Sequence, residues 1–115
     1  MRLKRRADFQ KVSASGEKWV TPGIVVQALK HSLDQIHGLD QIRVGFTVSR
    51  KVGNAVARNR ARRRLKAMAE EFYPKMMNGG WDIVLIGRTV TLERDFGALR
   101  QDFQTALKKL KVLMT

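Results

Sequence analysis

The chain has 115 residues, with 23 Lys and Arg against 10 Asp and Glu, for a formal net charge of +13. That length suits one domain over 1–115, and 43% hydrophobic residues supply a core, which excludes wholesale disorder. With no cysteine, disulfides, thiolate metal sites and a Cys nucleophile are excluded together, and no window is apolar enough to span a membrane.

The start, Met1 to Arg6, is basic but runs into Ala7-Asp8-Phe9 rather than an apolar stretch. No signal peptide is expected, and a cytoplasmic location is. Residues 5–15 read as a short helix, with Phe9 and Val12 on one side and Gly16 placed to end it. After Pro22, the β-branched run Gly23 to Leu29 reads as a strand, with room for a short one before it around Trp19. Residues 30–41 form a polar connection holding the near-repeat Leu33-Asp34-Gln35-Ile36 and Leu39-Asp40-Gln41-Ile42, read as a local duplication in a tolerant loop. His31 and His37 fall there without acidic or Cys company at ligand spacing, so no metal site is expected.

Ile42, Val44, Phe46 and Val48 then alternate with Arg43, Gly45, Thr47 and Ser49, the pattern of a half-buried strand. At the turn Val52-Gly53-Asn54, Gly53 gives backbone freedom and Asn54 N-caps a helix from Ala55 to Tyr73, closed by Pro74. Residues 75–80 read as a loop and the apolar run Trp81 to Gly87 as a central strand. A last helix is expected from Leu92 to Leu110, with Phe96, Leu99, Phe103, Ala106 and Leu110 as its buried stripe. The order is helix, two to three strands, helix, strand, helix: an α+β fold, an α/β two-layer sandwich.

The charge is concentrated. Arg50 to Lys66 holds eight basic residues and no acid, and a smaller group is Arg2, Lys4, Arg5, Arg6 and Lys11. On a helical wheel Ala57, Ala61, Leu65, Met68 and Phe72 form a core stripe. Arg58, Asn59, Arg62, Arg63 and Lys66 lie on the opposite arc, with Arg60 and Arg64 on its flank. Arg50 and Lys51 precede the turn at Gly53 and Asn54, so strand end, turn and helix face are expected to form one basic ridge. Arg-rich density of this kind suits bidentate phosphate contact, and the helix N-terminus past Gly53 adds free N–H donors. A DNA-reading helix-turn-helix needs another helix upstream, where an alternating strand stands instead; RNA, recognised through phosphate and shape, fits better. An ordinary amphipathic helix with a basic outer face is the plainer alternative.

The stretch Val48-Ser49-Arg50-Lys51-Val52-Gly53-Asn54-Ala55-Val56-Ala57-Arg58-Asn59-Arg60-Ala61-Arg62-Arg63 resembles the signature of the bacterial ribonuclease P protein component. Arg2-Leu3-Lys4 and Asp8-Phe9-Gln10-Lys11-Val12 are similar to that family's first helix, and Asp82 to Arg88 with the final helix extend the likeness. The resemblance implies a subunit of a ribonucleoprotein endoribonuclease that removes the 5′ leader of precursor tRNA. It also implies that the RNA subunit carries the hydrolysis with Mg²⁺, so no catalytic residue and no metal ligand is expected in the protein. Arg58, Asn59, Arg60, Arg62 and Arg63 would then pack on ribonuclease P RNA. A cleft bordered by Phe9 and Lys11 would receive the single-stranded leader. The implied fold sets the helix of residues 55–73 in a left-handed crossover between parallel strands, against the usual handedness. Two positions depart from the family's pattern: Ser13, where a large apolar or aromatic residue is frequent, and Arg64, where an apolar one is usual. Ser13 weakens the expectation of leader stacking, and Arg64 is expected to widen the basic surface.

Two rival functions differ in class. A protein-only nuclease needs a base and acid, or paired carboxylates holding metal, near the scissile phosphate; the acids here are scattered and the histidines lie away from the basic helix. A structural RNA-binding protein of ribosomal type shares the charge and fold class but not the 48–63 motif.

Overall fold

Alternation decides which face of each strand is buried, and the sheet follows it. The computed structural model describes residues 2–31, 42–72 and 80–112. Most of the polar connection with its near-repeat, His37, the Tyr73-Pro74 helix end and residues 75–79 lie outside the described residues. The elements are α1 (Arg6–Ser15), β1 (Glu17–Val20), β2 (Ile24–Lys30), β3 (Ile42–Val48), a single 3₁₀ turn at Arg50–Val52, α2 (Ala55–Phe72), β4 (Trp81–Gly87), α3 (Thr89–Glu93) and α4 (Phe96–Lys109). The expected short strand around Trp19 is present as β1. No helix among the described residues is long and apolar enough to cross a membrane.

The strands form a mixed sheet in the order β1-β2-β4-β3. β4 is central, as its apolar run requires, antiparallel to β2 and parallel to β3. α2 is therefore the crossover between the parallel pair. Ile24, Val26 and Ala28 of β2, Val44 and Val48 of β3, and Ile83 and Leu85 of β4 face Ala61, Leu65, Met68 and Phe72 of α2 and Leu99, Phe103 and Ala106 of α4 in the main core. The helix stripe read at 3–4 spacing is thus the buried one, except that Ala57 is only half-buried.

The last helix is two helices. The chain is extended at Arg94 (ψ 138°), and Asp95 caps a new start by accepting from the Ala98 N–H at 3.1 Å. Phe96, expected in the stripe, is half-buried at this junction. Asp102 is buried instead: it accepts from Arg94 Nε at 2.6 Å and from the Gly23 N–H at 3.1 Å. The 3.6-residue period places Leu99 and Phe103 correctly, but a capping aspartate inside the pattern restarts the helix.

On the opposite sheet face α1 covers only one end. Leu3, Val12, Phe9, Leu29, Val84 and Ile86 make a small second cluster there. The helix is also held by charge: Asp8 lies 3.6 Å from Arg43, which donates to both oxygens of Asp82 at 2.8 and 2.7 Å. His31, expected in an open connection, sits at the end of β2 with its side chain 2% exposed and donates from Nε2 to Asp82 at 2.6 Å. Burial pushes the Asp82 carboxyl up, but the hydrogen bonds from Arg43 and then His31 outweigh it and hold the group below its ordinary value of 3.8. Between the lowered folded value and 3.8 the unfolded chain binds the extra proton, so stability rises with pH in that window. It is fully present above 3.8 and lost as pH falls through the folded value. Urea melts at pH 5 and pH 3 are expected to show a loss of stability that Asp82→Asn reduces; an identical loss in both proteins would place the acid sensitivity elsewhere.

Candidate nucleic-acid interface

The basic residues expected to form a ridge lie on the 3₁₀ turn and on α2. Arg50 and Lys51 are exposed on the 3₁₀ turn, followed by Gly53 at φ 146°, a backbone angle that favours glycine. Asn54 accepts from the Ala57 N–H at 3.0 Å, so the expected N-cap is in place and its oxygen is committed to the helix start. Gly53 and Asn54 thus set where α2 begins.

On α2, Asn59, Arg60, Arg63 and Lys66 are exposed, while Arg58 and Arg62 are half-buried. Arg62 is oriented by a 3.2 Å donation to the Asn59 side-chain oxygen. Arg58 keeps its Nε enclosed without a hydrogen-bond partner among the described residues. Val56, Asn59, Arg62, Arg63 and Lys66 line a shallow groove of about 500 Å³ that Arg2 completes from the other side. Arg2 is placed there because the N-terminal segment runs alongside β3: Leu3 N donates to Val44 O at 3.0 Å, and the Arg2 guanidinium lies 5.4 Å from the Phe46 ring centroid. The sequence marked Arg2 as basic but held no signal of this position, which depends on Val44 and Phe46, far along the chain.

Arg64 corrects an expectation. Rather than widening the basic surface, its guanidinium turns toward the α3–α4 junction, donating to Leu92 O at 2.5 Å and to Arg94 O, and lies 5.9 Å from the Phe96 centroid. The cause is the break at Arg94-Asp95, which presents carbonyls at the end of α3 to a planar donor on the α2 flank.

A second groove, about 290 Å³, runs between α1 and the open sheet face. Arg6, Phe9, Gln10 and Ser13 form its helix wall, and Gln27, Thr47, Val84 and Ile86 its floor. Phe9 reaches in because β3 has no side chain at Gly45: a Cβ there would stand 2.6 Å from two Phe9 ring atoms. Lys11 is exposed but does not line this groove, and its nearest basic wall is Arg6. Beyond it, Thr47, Ile86, Val25 and Val20 are register partners across all four strands, so a half-exposed row continues to the β1 edge. Gln27 and Thr47 escaped the sequence reading. Strand alternation assigns them to the non-core face, but only the strand order places them beneath α1.

Both acids buried among the described residues are engaged, Asp82 by Arg43 and His31 and Asp102 by Arg94. No cluster of three or more His, Cys, Asp or Glu suited to a metal ion occurs among the described residues.

Comparison with known proteins agrees with this geometry. The family model described as Ribonuclease P matches residues 1–111. A "Ribonuclease P protein component" from Paramagnetospirillum magneticum is 49% identical over 112 residues, covering 97% of this chain and 84% of that one. Among solved structures, a Staphylococcus aureus RNase P protein superimposes with a TM-score of 0.79 at 26% identity, covering 98% of this chain and 97% of its own. One from Thermotoga maritima gives 0.75 at 28% identity, covering 100% and 99%. A match of this length embraces the basic ridge, the α1 groove and the sheet that separates them, and the chain belongs to the ribonuclease P protein family.

Proposed function

We propose that this protein binds ribonuclease P RNA through the α2 face and holds the single-stranded 5′ leader of precursor tRNA in the α1 groove, within a cytoplasmic ribonucleoprotein. The observation that carries the reading is the pairing of two unlike surfaces. One is a dense Arg face without an acid from Arg50 to Lys66; the other is a narrow, mostly uncharged groove with one aromatic wall. Phosphates of a folded RNA suit the first, and an unpaired strand with exposed base faces suits the second. Selectivity for precursor over mature tRNA then comes from contacts that the mature molecule lacks.

Among the described residues both buried acids are held by arginine, and the hydrolysis is assigned to the RNA subunit. Mg²⁺ is accordingly assigned to the RNA, where it supplies charge stabilisation for phosphodiester hydrolysis. The contribution of Arg58, Arg60, Arg62, Arg63 and Lys66 is to screen phosphate repulsion, which lowers the Mg²⁺ concentration at which RNA and substrate assemble.

The test is 5′-leader removal from a precursor tRNA by nuclease-treated protein, with and without the RNA subunit, at low Mg²⁺. Cleavage only by the combination is expected. Cleavage by protein alone would sink the reading, and so would a failure to stimulate the RNA. Phe9→Ala is expected to cost about tenfold in affinity for precursor but not mature tRNA, the scale of one lost base stack. Phe9→Leu, which keeps the apolar packing over Gly45, separates stacking from folding; equal losses for both tRNAs would make Phe9 structural only.

A further inference from the structure

We infer that Arg64 is a positioning residue for the RNA face of α2, fixing the rotation of that helix through the α3–α4 junction rather than contacting phosphate. The inference rests on the reading of the α2 face as the RNA-binding surface.

Three features lead to it. First, Arg64 follows Arg63 directly and lies one turn after Arg60, so whatever holds Arg64 sets where those two exposed guanidinium groups point. Second, its donors are spent inward on Leu92 O and Arg94 O, and its plane lies near the Phe96 ring. Arg100 approaches the same ring at 5.7 Å, so Phe96 has an arginine from α2 and one from α4. Third, the accepting junction is itself anchored. The Arg94 side chain donates to Asp102, which also accepts from Gly23 N. Thr91 donates to Gly23 O at 2.6 Å, and Arg88 donates to Thr21 O and Pro22 O at 2.9 Å each. A chain of directional bonds thus runs from the α2 flank to the β1–β2 turn.

The rest of the α2 packing sets rotation less closely: beside the exposed Glu71–Arg100 ion pair at 2.9 Å, it is mainly apolar. Its buried stripe includes two alanines, Ala61 and Ala69, beside Leu65, Met68 and Phe72. Apolar contacts between such side chains are non-directional and tolerate small rotations. A planar fork on two fixed carbonyls does not.

The experiment compares Arg64→Met, Arg64→Lys and Arg62→Met. Affinity for ribonuclease P RNA is titrated across a salt series below every variant's melting range, and amide exchange at residues 92–98 is followed in the free proteins. For Arg64→Met the expected result is faster exchange at 92–98 and on the order of tenfold weaker binding at every salt concentration, with the salt slope unchanged. Arg62→Met is expected to flatten the slope by about one and leave the exchange alone. Arg64→Lys keeps the charge without the fork and is expected to restore affinity only in part; it carries the comparison if Arg64→Met folds poorly.

A flattened slope for the Arg64 variants would make Arg64 a phosphate ligand and overturn the inference. Faster exchange with unchanged affinity would leave a structural strut alone and overturn it too. If Arg62→Met also changes neither affinity nor slope, the RNA-face reading falls as well, so the two failures are told apart by the Arg62 control.

Discussion

Replacing Arg62 and Arg63 together by Glu is expected to weaken binding of ribonuclease P RNA by about a hundredfold at physiological salt. Each lost phosphate contact flattens the log-log salt dependence by about 0.7 to 0.9, so two contacts are worth roughly fifteen- to thirtyfold between 1 M and 0.15 M salt. Two glutamates facing phosphate add repulsion to that loss. The fold should survive, because Arg63 is exposed, Arg62 is half-buried, and the Asn59 bond that is lost is itself exposed. Lys108→Glu with Lys109→Glu makes the same change in net charge at the C-terminal end of α4. Titration of both double variants across a salt series decides the matter. Equal weakening in the two would mean that net charge, not the α2 face, attracts the RNA.

Asp102→Ala is expected to lower stability by about 3 kcal/mol. The carboxylate holds Arg94 Nε and Nη2 at 2.6 and 3.1 Å and the Gly23 N–H at 3.1 Å, and its side chain is 9% exposed. Removal leaves a backbone donor buried without a partner and a guanidinium without its counter-charge. Arg94 is 31% exposed and can turn partly to water, which places the cost at the lower end of the range for broken buried pairs. The melting temperature should fall by roughly 10–15 °C. Asp102→Asn, which keeps an acceptor for Gly23, should recover part of it. A fall of only a few degrees for Asp102→Ala would mean that water replaces the carboxylate, and that the hairpin turn is not held by this network.

Arg62 and Arg63 on one side and Asp102 on the other differ in how far local sequence marks them. Arg62 and Arg63 are assigned to a solvent-facing arc by helical period alone, and their grouping with Arg58, Arg60 and Lys66 needs no tertiary information. Asp102 stands between Leu99 and Phe103 in a pattern that reads as apolar stripe and polar flank, and nothing local marks it as buried. Its burial is explained by Arg94 and by a backbone N–H 79 residues away.

Position along the chain therefore determined a good deal by itself. Alternation fixed β3 and its core side, β-branched density marked β2 and β4, and Gly53 with Asn54 set the start of α2. These are consequences of covalent geometry, since side chains repeat every 2 residues in a strand and every 3.6 in a helix. The ribonuclease P motif likewise lies in one contiguous stretch, from Val48 to Arg63.

Tertiary structure alone decided the rest. The α1 groove needs Gln27, Thr47, Val84 and Ile86 from three strands, joined only by the order β2-β4-β3. Arg2 meets the α2 face because Leu3 bonds to β3, and Arg64 leaves that face because a helix break supplies carbonyls to it. The burial of His31 depends on Asp82, 51 residues later. The physical reason is common to all four. A buried charge or a shared groove is stabilised by partners that are distant in sequence, and local periodicity carries no record of which distant partner the fold will bring near.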